Sequence, residues 1–313
     1  MKRPKNIPVE LDPWLRPVDA LLLLYQMVLG LVVLTGRSQT QGTVWLGWHL
    51  GGSLILLMIC RATVGKTGGA LVFLREWYPL ILMPLLYKEV GPLVHSYFDW
   101  TVDPILYSLD LRLFLGGGPA LWIWQQSHPP ALWVNELFHV GYGSYFLLMP
   151  IGGFALWYRA PREKFRTYMF TLGLTYYTSY LLFILLPAHS PRFFLEGLRD
   201  PLPGYAWSNL LKLTMDGNAY PGGSFPSSHV AAAFIVFGTS PYLGRWKIPL
   251  FLMTLVLFAG TVWGRYHYVS DLAVGLLLGA YYLKVAPSVE RFFQSRLAGF
   301  PALALGRSTT RSR

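Results

Sequence analysis

Residues 221–275 decide both the fold and the chemistry. The stretch opens with Pro221-Gly222-Gly223-Ser224-Phe225-Pro226-Ser227-Ser228-His229 and closes on Arg265-Tyr266-His267-Tyr268-Val269-Ser270-Asp271. An apolar out-and-back segment separates the two ends. Pro226-Ser227-Ser228-His229 leads into Val230–Phe234, so Ser227 or Ser228 suits the N-cap of a helix. The free amides of such a first turn, with the helix dipole behind them, bind phosphate well. Gly222 and Gly223 let backbone approach a ligand closely. An ordinary capped helix with an interfacial histidine accounts for this half equally well. His267 and Asp271 stand four residues apart at a helix start and share a face. A carboxylate there keeps one imidazole nitrogen as N–H and leaves the other as a nucleophile or base. A satisfied interfacial His–Asp pair is the plainer reading of that half, and Arg265 can serve as a headgroup anchor.

Composition sets the environment. Hydrophobic residues make up 53% of the 313 and charged residues 13%, against about 25% charged in soluble domains. The mean hydropathy is +0.40. Such a chain cannot cover a water-facing surface, so the expected class is an all-α polytopic membrane protein. The 12 Trp and 19 Tyr suit rings lying at membrane interfaces. One cysteine, Cys60, excludes an intrachain disulfide and a cysteine-based metal cluster. Net charge is +11, but the charges are scattered between apolar segments. That pattern excludes nucleic acid as the natural partner and points to anionic lipid and membrane orientation.

Runs near 20 apolar residues predict about eight spans, at 19–36, 44–62, 70–88, 131–157, 166–187, 227–243, 248–264 and 270–287. The sixth and seventh are short for a full crossing. Arg75-Glu76 interrupts the third. Between the third and fourth, Asp99, Asp103, Asp110 and Arg112 alternate with Trp100, Ile105, Leu106, Leu109 and Leu113. This reads as an interfacial amphipathic helix ended by Gly116-Gly117-Gly118-Pro119. The chain divides into N-terminal helices with this segment (1–125), a core (126–287) and a basic tail (288–313).

With the N-terminus in the cytoplasm, 18 of the 26 Lys and Arg fall inside and seven outside, and every inner loop is basic. Both termini are then cytoplasmic. His229, Arg265 and His267 come to the outer face, and Arg192 joins them there from behind the fifth span. Asn135, Glu136, His139 and Tyr142 open the fourth span at the same face, where they suit either a headgroup or acceptor alcohol or an interhelical network. His189, beside Arg192, is a further candidate contact.

Pro226-Ser227-Ser228-His229 followed one helical hairpin later by His267-Tyr268-Val269-Ser270-Asp271 resembles the type 2 phosphatidic acid phosphatase superfamily. Ser190-Pro191-Arg192 resembles its upstream motif. The likeness covers roughly 130–285 and is greatest to the inositol phosphorylceramide synthase-like and sphingomyelin synthase-like branch. Leu109-Asp110-Leu111 to Pro119 is similar to that branch, less specifically.

The resemblance implies a six-helix phosphatase-type core and a metal-free, cofactor-free, two-step mechanism. His267 is its nucleophile, Asp271 fixes the tautomer, and His229 is acid and then base. Arg192, Ser227, Ser228 and Arg265 hold the phosphate. The substrate it implies is a membrane phospholipid or lipid phosphate, with a lipid alcohol as a further acceptor. Leu185 stands where the family has a lysine, and Thr261 where it has an arginine. Fewer cations favour the synthase-like branch over a generic phosphatase. Three other readings stay open: a lipid phosphate hydrolase, a metalloenzyme with His229, His267 and Asp271 as zinc ligands, and a non-catalytic lipid transporter or receptor.

Overall fold

The fold rests on how a membrane chain disposes of its charges. The computed structural model describes residues 14–37, 42–66, 68–116, 131–195, 202–218 and 220–298. The basic start Met1–Lys5, the glycine run after Gly116 and the tail arginines Arg307, Arg311 and Arg313 lie outside these. Among the described residues the regular structure is helical: α1 (Pro17–Thr35), α2 (Gly42–Ala62), α3 (Ala70–Val90), α4 (Asp103–Leu113), α5 (Leu132–Gly143), α6 (Tyr145–Arg159), α7 (Arg162–Leu185), α8 (Pro191–Phe194), α9 (Ala206–Asn218), α10 (Ser228–Phe237), α11 (Ser240–Leu243), α12 (Lys247–Trp263) and α13 (Val269–Ala298).

All eight apolar segments expected from the sequence are helical. Among the described residues six helices are long and apolar enough to cross a membrane, and a seventh span forms when α5 and α6 are joined across a 44° bend. The sixth expected segment is the exception. Its helix α10 has ten residues, about 15 Å against a hydrocarbon core of about 30 Å. At the other extreme, α13 continues past Pro287 to Ala298, beyond the end that the apolar run indicates.

Helix α7 runs through the centre, packed by α1, α3, α6, α10 and α13. It carries three small polar residues at depth because their hydroxyls are satisfied within the helix itself. Thr171, Thr175 and Ser179 donate to the carbonyls four residues earlier at 2.7, 2.8 and 2.8 Å. This removes the cost of unpaired hydroxyls in an apolar interior.

Arg75 and Glu76 do not pair with each other. Arg75 is fully buried and donates to Asp19 Oδ2 (2.8 Å), Thr63 Oγ1 (2.8 Å) and the Trp14 carbonyl (2.7 Å). Tyr78 donates to the other oxygen of Asp19 at 2.7 Å. Glu76 pairs with Arg166 at 2.8 Å and Arg16 at 3.3 Å. The ends of α1, α2, α3 and α7 are thereby tied in one buried ionic cluster. Removing one partner strands a buried charge, typically at 3–5 kcal/mol. Asp19→Ala is therefore expected to lower the unfolding free energy in detergent by about that much, read as a large fall in melting temperature.

Candidate active site

The site lies at the end of α7 opposite the ionic cluster. Its two halves meet because α10 packs tightly on α13. A Cβ on Gly275 would stand 2.6 Å from the Ser227 carbonyl oxygen, and one on Gly279 would stand 2.7 Å from that of Ala231. Only glycine admits that approach. Ser227 caps α10, accepting from Val230 N through Oγ at 3.4 Å and from Ala231 N through its carbonyl at 3.0 Å.

His267 is set by the turn between α12 and α13. The Thr261 carbonyl accepts from both Tyr266 N (2.9 Å) and His267 N (3.1 Å). Arg265, between them, takes a left-handed backbone with φ of 62°. His267 Nδ1 lies 2.5 Å from Asp271 Oδ2, and both side chains are buried. A carboxylate oxygen accepts only, so Nδ1 carries the proton and Nε2 keeps its lone pair. Nε2 faces His229 Nδ1 at 3.4 Å. The expected pairing of the two motifs is therefore present, with the free nitrogen of one histidine turned toward the other.

The loop after α7 completes this end. Ala188 N donates to the Gly222 carbonyl, and Ser224 N donates to that of Ala188, each at 3.2 Å. Arg192 N donates to the Arg265 carbonyl at 3.1 Å, and both arginines are buried. The structure thus joins all three motifs. Leu185, in the last turn of α7, is exposed.

The remaining candidates divide. Tyr142 belongs to the site, with its ring stacked at 5.0 Å on His229 and 4.2 Å on Tyr266. Tyr145 lies against His229 at 4.2 Å. It is a neighbour that sequence reading missed, because nothing distinguishes it from other interface tyrosines. Asn135 is engaged at both ends, donating to the Pro203 carbonyl (2.7 Å) and accepting from Trp263 Nε1 (2.9 Å). Glu136 accepts from Tyr205 N, Trp207 N, Ser208 N and Ser208 Oγ at 2.6–3.1 Å, anchoring the start of α9. His139 Nδ1 donates to the Asn135 carbonyl at 2.6 Å. His189 packs against His95, with Nε2 to Nε2 at 3.3 Å. Partial burial pushes its pKa below the ordinary histidine range, so it brings no fixed positive charge to a phosphate.

An apolar cavity of about 850 Å³ opens beside His229. Ser228 and His229, with Lys88 and Thr214, supply its polar end. It extends along α3 from Lys88 to Phe73, with α6 as the facing wall and Trp207 and Leu211 of α9 as its roof. The fifteen helical rises from Phe73 to Lys88 amount to roughly 22 Å, more than one leaflet of a hydrocarbon core about 30 Å thick.

Residues 104–284, more than half of the chain, match the PAP2 superfamily. The chain belongs to that superfamily. Membership, with the apolar helices, marks it as an integral membrane protein of a phosphatase-type enzyme family. A PA-phosphatase related-family protein of Dictyostelium discoideum is 30% identical over 110 residues, covering 33% of this chain and 20% of that protein. The chain therefore aligns with about a fifth of that relative's length. No solved structure matches it.

The close helix contact gives a test of how the site is assembled. Gly275→Ala is expected to force Ser227 and His229 away from Asp271 while leaving the ionic cluster intact. Overpacking of this kind costs about 1–3 kcal/mol, and a displacement of about 1 Å at the chemistry costs about 100-fold in rate. Turnover by the variant should fall far more than its melting temperature does.

Proposed function

We propose that the protein moves a phosphate ester between lipid hydroxyls through a phosphohistidine at the outer membrane face. The observation that carries this reading is the His267–Asp271 pair, whose free Nε2 faces His229 at the polar end of a long apolar cavity. His267 Nε2 attacks phosphorus, and the bond from phosphorus to the lipid oxygen breaks. His229 gives its proton to that leaving oxygen. An incoming hydroxyl then attacks phosphorus, returns a proton to His229, and the N–P bond breaks. Asp271 keeps the proton on Nδ1 throughout. Arg192, Arg265 and the amides at Ser227–His229 hold the equatorial oxygens, where charge develops.

Reaction requires the two imidazoles to part. A nucleophile about 3–3.5 Å from phosphorus and an acid about 2.6–3.2 Å from the leaving oxygen cannot remain 3.4 Å apart. The substrate's phosphoryl group enters between them. The lipid portion then lies on the His229 side, since Ser228 and His229 form the cavity wall. The basic inner loops support the outer placement of the site, with cytoplasmic termini.

Transfer to a lipid alcohol is favoured over hydrolysis by Leu185 and Thr261, which stand where the phosphatase pattern has a lysine and an arginine. The name of the Dictyostelium relative supports the hydrolase alternative. Purified protein in vesicles of phosphatidic acid and phosphatidylinositol, with and without ceramide, separates the two by mass spectrometry. Transfer gives a new phospholipid only when ceramide is present, whereas hydrolysis gives free phosphate in either case. His267→Ala is expected to abolish both products and the acid-labile phosphoenzyme. Turnover surviving that change would overturn the mechanism, and loss of turnover in a chelator would return a metal-dependent reading. Leu211→Trp, which narrows the cavity under its roof, is expected to raise KM for long-chain lipids at least tenfold. Dioctanoyl analogues should be affected about twofold or less.

A further inference from the structure

Helix α4 is expected from its sequence to float at the interface with its acids in water. The structure reverses that orientation. Ile105 and Leu113 are exposed, while Asp103 and Asp110 are 0% and 4% exposed. The outward face of α4 carries Ile105, Leu109 and Leu113 beside Ser108 and Arg112, and its two carboxylates point into the protein.

Both are fully engaged, and their partners are parts of the active site distant in sequence. Asp110 accepts from Val269 N through Oδ2 (2.8 Å) and from Ser270 N through Oδ1 (2.9 Å). These are the first two amides of α13, the helix that carries Asp271. A helix start normally finds its cap in the preceding side chain. Here that residue is Tyr268, which has no short acceptor, and a carboxylate from another helix takes the place. Asp103 accepts from Tyr268 Oη through Oδ1 (2.8 Å) and from His189 N through Oδ2 (2.7 Å). One carboxylate therefore bridges the residue after His267 and the loop that leads to Arg192. Val102 N to the Pro187 carbonyl (2.8 Å) and Ser270 Oγ to that of Leu106 (3.2 Å) reinforce the same two attachments.

We propose that Asp103 and Asp110 are positioning residues that hold the His267–Asp271 turn and the Arg192 loop in fixed register, making α4 a structural part of the active site. Neither touches the reacting atoms. Asp110 fixes where α13 begins and so where Asp271 stands relative to His267. Asp103 fixes the spacing between the nucleophile's turn and the phosphate-holding loop. The role in turnover rests on the histidine mechanism proposed above.

The test uses full-length protein and the lipid that the vesicle assay finds to be turned over, with orthovanadate as a second probe. Asp103→Asn and Asp110→Asn each keep one acceptor oxygen where two are needed. Each is expected to lower kcat by about 100-fold, with KM within about twofold. Each is also expected to weaken orthovanadate binding by at least tenfold, with the melting temperature nearly unchanged. Asp110→Leu, with no acceptor, should lose more kcat than Asp110→Asn. Asp99→Asn removes an exposed carboxylate paired with Arg37 on the same stretch and should leave all three readouts at wild-type values. Wild-type kcat in either asparagine variant would overturn the proposal, as would a loss of kcat matched by loss of folded protein. The His267→Ala result keeps the two ideas separate. If that variant stays active, or binds orthovanadate as wild type does, the histidine mechanism fails. If it is inactive while both asparagine variants are unimpaired, the positioning role alone fails.

Discussion

The contact of α10 with α13 at Gly275 and Gly279 is the constraint on which the site depends. Neither helix alone holds a catalytic group in place. Packed with carbonyl oxygens where a Cβ would otherwise stand, they bring Ser227 and His229 opposite His267 and Asp271. Close packing takes the place of a hydrophobic driving force, which lipid does not supply between helices. It also explains why α10 can be only ten residues long. Its task is to present its first turn against α13.

The three motifs were legible because their chemistry is local. A histidine and a carboxylate four apart at a helix start have to meet, and Ser227 before an apolar run has to cap it. Their convergence at one end was legible from charge, since the alternation of basic and non-basic loops fixes which motif ends share a face. The partners of Arg75 and Glu76 were not legible. A charged pair inside an apolar run announces that the charges are compensated, but the compensating Asp19, Arg16 and Arg166 lie on other helices. The cavity was hidden for the same reason, because its walls come from α3, α5, α6, α7, α9 and α10.

Helix α4 shows a different kind of blindness. An amphipathic pattern has a period and two faces, and the period was read correctly. Which face meets the protein depends on the medium. Beside water, acids turn outward; beside lipid, the same helix turns its leucines outward and must find protein donors for its acids. Asp103 and Asp110 find them in the amides of His189, Val269 and Ser270 and in the Tyr268 hydroxyl. Nothing in residues 99–113 alone distinguishes the two cases, because the deciding donors are 86 or more positions away.

The position of the cavity constrains the proposed chemistry further. Ser228 and His229 contribute to its polar end, on the side of the proposed acid–base group. A lipid tail in the cavity therefore places its oxygen where His229 can protonate it on leaving or deprotonate it on arrival. Donor and acceptor, if both are lipids, need that same place, and the donor's lipid alcohol must leave before the acceptor enters. In the proposed mechanism the phosphohistidine lets this exchange happen, since it would store the phosphoryl group on His267 while the cavity empties and refills. Whether water or a lipid alcohol completes the reaction then depends on refilling against hydration. The apolar lining by Trp77, Phe154, Met149 and Leu211 suits a lipid chain, which in the proposed mechanism weighs toward a second lipid over water.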